Sequence, residues 1–357
     1  MTAMLGTFWK EIRGTLSRVV KHPYFGFVLL GVALLIVRRF AELGMVSPSL
    51  YKSISSMMIY SIIALGFSLL LGYAGLASLG TAGFVGLGTY FIGHFSGTLQ
   101  KPFGITLLVA LGGAIVLGAV VGFVSLRIEG MYLAIITLGL SEILKEVFKS
   151  FTAFTNGVTG LTFRNFMMFG KPVPDAAVDQ AIILVFVLVI IATLNIINSP
   201  TGRALLAMKN SDSAAQSMGI GLMKYRLLAF VLATVYAVIA GLLYMADIKF
   251  SIPGTWSLDF SLNILAAVVV GGAQSILGIL LGVFMIFGLN MTVLQNIPFF
   301  RQYPDATWIL SGVLIILVTM FYPGGLIRLL QALRLKIILL VRNLRKRWRK
   351  YRYGEDD

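Results

Sequence analysis

Residues 225–246 read YRLLAFVLATVYAVIAGLLYMA. Beyond Arg226 this stretch carries no charge, and it matches the roughly 20 residues that a helix needs to cross the hydrocarbon core. In lipid every backbone N–H and C=O must be satisfied internally, so the run reads as a transmembrane helix. Working outward, further apolar spans are expected at 24–37, 50–71, 103–126, 130–149, 182–197 and 305–322. A glycine-dense segment at 72–95 makes another crossing. The stretch 259–290, broken at Gly271-Gly272, counts as two, for ten in all. The expected fold class is therefore all-α: a polytopic integral membrane protein of about 8–10 transmembrane helices, with glycine-interrupted helices in two related halves.

Composition agrees. The chain has 357 residues, of which 58% are hydrophobic and only 12% charged, and its mean hydropathy is +0.92. A soluble domain is usually about 25% charged, so most of this surface must face lipid. There are no cysteines, which excludes disulfides, thiolate metal sites and cysteine nucleophiles. His22 and His94 lie far apart and lack metal-ligand spacing, so no metal site is expected. No paired carboxylates or nucleophile constellation appear, which leaves a membrane-embedded enzyme without support.

The net charge is +15. The basic residues gather at the chain's ends and in the 199–224 loop, as the positive-inside rule places them on cytoplasmic segments. No nucleic-acid partner is expected. Residues 1–23 set Lys10, Arg13, Arg18 and Lys21 among Phe8, Trp9, Ile12, Leu16 and Val19, the pattern of an amphipathic segment on the cytoplasmic face of the bilayer. The transmembrane domain is expected over 24–325 and a basic cytoplasmic tail over 326–357. Within that tail Leu333, Ile337, Leu340, Leu344 and Trp348 suit a helix on anionic lipid, or simply a topology signal with a solvated end. An even span count puts both termini inside, the 199–224 loop inside and the 150–179 loop outside. Arg38-Arg39 stands against that topology.

Three segments carry the functional reading. Gly72-Tyr-Ala-Gly75-Leu-Ala-Ser78-Leu-Gly80 and the run Asn263…Val270-Gly271-Gly272 each interrupt an apolar stretch. Paired interruptions point to a substrate path in transporters built from repeats. Half-helix N-termini at such breaks can hold a carboxylate. Small-residue helix packing accounts for the same glycines. Glu142, twelve residues into its span, has two readings as well. One is an i, i+3 pair with Lys145 where the helix emerges into the interface. The other is a place near the substrate path, with Thr137 on the same helix. The third segment is the 199–224 loop. There Asp212 and Ser213 are candidate N-caps of a short helix that Gly219 or Gly221 can end.

This loop resembles the coupling loop of ABC-importer permeases, whose pattern is Glu-Ala-Ala, three residues, then Gly. Here it is Ser213-Ala214-Ala215 with Gly219. Ser-Pro-x-Gly-Arg203-Ala, Tyr225-x-Leu-Leu-Ala-Phe230, Gly72-Tyr-Ala-Gly-x-x-Ser-Leu-Gly80, Tyr132-x-Ala-x-x-Thr-Leu138 and Glu142-Ile-Leu are similar to the branched-chain amino-acid permease family, LivM type. So are Thr155-x-Gly-x-x-Gly-Leu161, Val270-Gly-Gly and Tyr322-Pro-Gly-Gly-Leu326, and the runs occur in the family's order over roughly 50–326. The resemblance implies the permease subunit of an ATP-driven importer in a bacterial or archaeal inner membrane. It implies a second related permease, two cytoplasmic ATPase subunits and an extracytoplasmic binding protein docking near 150–179. Arg203, Lys209, Asp212, Ser213, Ala214, Ala215 and Gly219 would meet the ATPase. Gly75, Ser78, Gly80, Thr137, Glu142, Asn263, Gly271 and Gly272 would line the substrate path. The chain has no Gly-x-x-x-x-Gly-Lys-Ser/Thr phosphate loop, so it needs no cofactor, and ATP and Mg belong to the partner subunits. The family's glutamate is serine at position 213, and Asp212 is the substitute charge. Alternatives are a urea, amide or other small-solute ABC permease, or an ion-coupled secondary transporter using Glu142, Asp247 or Asp259.

Overall fold

A computed structural model describes residues 24–342 except 126–130, 164–166, 169–170, 293, 295–296, 304–305, 323, 333–334, 337–338 and 340–341. The expected amphipathic segment 1–23, and the apolar positions of the tail helix, lie outside the described residues. The chain forms two compact units, Met1–Ser261 and Leu262–Asp357.

In the first unit α1 is Phe25–Glu42, and α2 is Pro48–Ser68, prolonged by a π-turn at Leu69–Ala74. Helix α3 is Thr81–Ile92, also followed by a π-turn, Gly93–Thr98. Then come α4 (Phe103–Ser125), α5 (Met131–Ser150), α6 (Asp175–Asn198), α7 (Pro200–Asn210), α8 (Asp212–Ser217) and α9 (Leu222–Ile248). Helix α10 is Leu258–Gly271. Among the described residues five stretches are long and apolar enough to cross a membrane: Pro48–Ala74, Phe103–Val124, Asp175–Asn198, Leu222–Ile248 and Pro253–Gly271. The chain is thus an all-α polytopic membrane protein. Helices α1 and α5 carry more charge, through Arg38, Arg39 and Glu42 in one and Glu142, Lys145, Glu146 and Lys149 in the other.

The stretch 225–246 lies inside α9, which packs on α2, α3 and α4. Glycines permit the crossing. A Cβ on Gly241 would stand 2.1 Å from the Val85 carbonyl oxygen, and one on Gly88 would stand 2.3 Å from that of Val238. Lipid tails are as apolar as leucine, so helices in a bilayer associate through such close backbone packing rather than through water exclusion. Helix α2 is enclosed along most of its length, with Ile59, Ile62, Ile63, Leu65 and Phe67 buried, whereas α4 and α6 expose Leu108, Val116 and Leu184.

Two features bear on the sequence expectation. Helix α6 begins at Asp175, not near 182, because Pro174 supplies an extended N-cap position and Asp175 occupies the first turn, where a carboxylate complements the helix dipole. The loop before it is accordingly shorter. It holds β1 (Leu161–Thr162), β2 (Met167–Met168) and β3 (Lys171–Pro172); β2 pairs antiparallel with β3, and β1 with β4 (Phe250–Ser251). Second, Arg38 is buried, bonded to Glu42 and 3.7 Å from Asp179, and Arg39 reaches Glu42 at 2.9 Å. The arginine pair that opposed the predicted topology is thus met by carboxylates locally.

In the second unit the later part of α10 runs into a turn, then α11 (Ile276–Val283), a π-turn at Phe284–Gly288 and a last turn Leu289–Thr292. A Cβ on Gly282 would stand 1.9 Å from the Ala267 oxygen, and one on Gly278 would stand 2.3 Å from the Gly271 oxygen. This is a helical hairpin held backbone to backbone. Helix α12 is Ala306–Phe321.

Candidate functional site

The break in the first unit starts where the π-turn ends. Gly75 has φ +71° and closes the turn, its N–H bonded to the Leu70 oxygen. Residues 76–80 are non-helical and α3 follows. The first N–H groups of a helix lack intrahelical partners, which is why a carboxylate site was expected there. The chain's own hydroxyls fill it instead. Thr137 Oγ1 accepts from Leu79 N–H at 2.9 Å, Ser78 Oγ from Gly80 N–H at 3.4 Å, Ser261 Oγ from Ala82 N–H at 3.0 Å and Ser141 Oγ from Gly83 N–H at 3.1 Å. These four N–H groups are therefore not available to an anionic ligand. Ser78 and Thr81 line a cavity of about 10 Å³ with Phe67, Phe84, Phe230 and Thr234, room for about one water.

The other expected path residues are placed as follows. Thr137 is fully buried and donates to the Leu133 or Ala134 oxygen. A Cβ on Gly80 would stand 2.9 Å from the Thr137 oxygen, so this glycine serves the α3–α5 approach. Glu142 is not brought to Thr137. It sits on the outer face of α5 beside exposed Ile143, paired with Lys145 at i, i+3. In the second unit Gly272 has φ +105°, Gly271 packs against Gly278, and Asn263 is half-buried two turns before them on α10. Ser275 caps α11 by accepting from Gly278 N–H at 3.3 Å. Ser141 and Ser261 were missed by the sequence reading. Their signal was a hydroxyl in an apolar helix, which must find a partner in lipid.

The 199–224 loop forms two helices in series. Ser199 caps α7, accepting from Thr201 N–H at 3.1 Å and Gly202 N–H at 3.4 Å, with Pro200 at the first helical position, where the missing N–H costs nothing. A Cβ on Gly202 would stand 2.2 Å from the Ile197 oxygen, so the corner between α6 and α7 requires glycine. Arg203 is exposed, its guanidinium 3.3 Å from the Asn198 oxygen. The cap of α8 is Ser211, accepting from Ala214 N–H at 3.3 Å, one residue before the expected Asp212. Asp212 takes the first helical position and pairs with the buried guanidinium of Arg226. Ala215, three residues on and hence on the same face, is buried too. Ser213, Ala214, Gln216, Ser217 and Met218 face outward, Met218 at 80% exposure, and Gly219 ends the helix with φ +79°. Lys209 is exposed, yet its ammonium reaches the Gly72 oxygen, donating at 2.8 Å.

Beyond the C-terminal end of α9 the Thr155–Leu161 motif builds a loop. Asn156 Nδ2 donates to the Gly160 oxygen at 3.0 Å. Gly160, at φ +78°, lies where a Cβ would be 2.5 Å from the Ser251 oxygen, which permits the β1–β4 pairing. Trp256 is buried beneath, donating to Ser251 Oγ at 2.9 Å.

Comparison with known proteins bears on these elements. The family described as "Branched-chain amino acid transport system / permease component" matches residues 49–319. The high-affinity branched-chain amino acid transport system permease protein LivM of Escherichia coli is 28% identical over 297 residues, 76% of this chain and 68% of the relative. A probable LivM of Methanocaldococcus jannaschii is 25% identical over 313 residues, 75% of this chain and 90% of the relative. A probable LivH permease of the same archaeon is 31% identical over 207 residues, 53% and 64%. No solved structure matches the chain.

Proposed function

Because the chain belongs to the branched-chain amino acid permease family of ABC transporters, we propose that it is the permease subunit through which a branched-chain amino acid enters the cell. Two cytoplasmic ATPase subunits drive it, a second related permease pairs with it, and an extracytoplasmic binding protein delivers the substrate. The α7–α8 pair is the observation that carries this reading. It presents small side chains and the exposed Met218 on one face, while Asp212–Arg226 and Ala215 hold the other face to the membrane domain. A partner can press closely on such a surface, and a displacement there reaches α9 through Arg226.

The 199–224 loop, 1–23 and the tail face the cytoplasm in this reading, in keeping with their basic residues. The loop built by β1, β4 and the Thr155–Leu161 motif faces outside and receives the binding protein. The cavity beside Ser78 is far too small for leucine, and in this reading the partner permease completes the substrate path.

Reconstitution tests the reading. The chain, its partner permease, the ATPase subunits and the binding protein are placed in proteoliposomes with labelled leucine, isoleucine and valine, and with urea as a competitor. ATP-dependent uptake of a branched-chain amino acid is expected. Uptake by this chain alone down an ion gradient would show a secondary transporter instead.

A further inference from the structure

The contact between Lys209 and the helix break joins two elements that the sequence treats separately. Helix α7 lies in the loop assigned above to the ATPase, so this inference rests on the proposed function. The Lys209 ammonium meets the Gly72 oxygen at 2.8 Å. Its stem lies over Gly75, where a Cβ would stand 3.1 Å from Lys209 Cγ. Gly72 belongs to the last turn before the break, and the final carbonyls of a helix lack intrahelical donors and carry partial negative charge. Gly75 N–H and Leu76 N–H both go to the Leu70 oxygen. A lysine is suited to that carbonyl by charge and reach.

The far end of the break is anchored differently. Leu79, Ala82 and Gly83 N–H are held by Thr137, Ser261 and Ser141. Residues 76–80 are thus strung between α7 on one side and the α3 hydroxyl clamp on the other. We propose that Lys209 is a positioning residue that transmits movement of the α7–α8 loop to the break and hence to α3, rather than a contact for the ATPase. Displacement of α7 pulls on Gly72 through a charge-assisted bond, and the short non-helical stretch has no internal ladder to absorb it.

The test uses the complete transporter in proteoliposomes, measuring labelled leucine uptake and ATP hydrolysis together under substrate-loaded binding protein. Lys209→Met keeps the stem and removes the ammonium. Uptake per ATP is expected to fall about tenfold, with hydrolysis changed by less than about twofold. ATPase subunits should co-purify in the wild-type ratio. Lys209→Arg should regain most of the coupling. Gly75→Ala, which keeps the ammonium but crowds its stem at a left-handed position, should uncouple in the same way. Unchanged uptake per ATP in Lys209→Met overturns the inference. Loss of ATPase subunits from correctly inserted Lys209→Met permease also overturns it, by marking an ATPase contact. Absence of ATP-driven uptake in the wild type would remove the proposed function and the inference together, whereas a coupled wild type with a fully coupled Lys209→Met removes the inference alone.

Discussion

Lys52 and Asp247 form an ion pair between the start of α2 and the end of α9, with the Lys52 ammonium also 2.7 Å from the Asp247 backbone oxygen. The Asp247 side chain is only 1% exposed, and its Oδ2 has no hydrogen-bond partner among the described residues. Removing the cation leaves a buried carboxylate uncompensated. Breaking a buried pair costs about 3–5 kcal/mol. Lys52 is half exposed, and solvent screening lowers the figure, so Lys52→Met should destabilise the protein by roughly 2 kcal/mol. Thermal unfolding in detergent reads this directly, and Lys52→Met combined with Asp247→Asn should recover part of the loss. Gly241 offers a second residue-scale prediction. With no room for a Cβ beside Val85, Gly241→Leu must separate α9 from α3, at a cost of about 3 kcal/mol, the upper end for overpacking. Yield of folded permease should collapse, while Gly112→Leu, at a glycine with open space around it, should fold normally.

At the scale of elements, α8 depends on one cap. Six residues make too short a helix to persist by propensity, so its order comes from Ser211, the Asp212–Arg226 pair and Ala215 burial. Ser211→Ala should weaken it by about 1 kcal/mol and reduce ATPase co-purification without reducing membrane insertion. The two alanines of the loop motif should behave differently. Ala214→Arg, on the outward face, should abolish ATPase attachment and leave the fold intact. Ala215→Arg, at a buried position, should lower thermal stability as well. Equal unfolding by both variants would contradict this division of faces. The helix was legible from Ala-Ala followed by glycine, but its facing was not. Asp212 looks like a free charge in sequence, and only its distance from Arg226, fourteen positions away and beyond the reach of local pattern, shows it is occupied.

For the molecule as a whole, the absence of cysteine makes membrane topology directly measurable. Single cysteines at Ser217, on α8, and at exposed Val158, in the loop before β1, should react with a membrane-impermeant maleimide from opposite sides. Cysteine at 158 should label in intact cells and cysteine at 217 only in inside-out vesicles. Labelling of both from one side would refute the orientation assigned here.

The all-α class and the position of the basic loop were set by the chain's own pattern, because lipid allows only internally bonded helices and basic residues sort to one side. The breaks at Gly75 and Gly271-Gly272 were likewise readable, since glycine marks where a helix can end or meet another backbone. Tertiary structure alone decided what those breaks do. It met the α3 N-terminus with Thr137, Ser141 and Ser261, paired Glu142 with Lys145, joined Lys209 to Gly72, and set Arg38 against Asp179. Each of these pairings except Glu142's joins residues far apart in sequence. A hydroxyl or charge in an apolar helix announces that it needs a partner, but which partner it finds depends on which helices pack side by side.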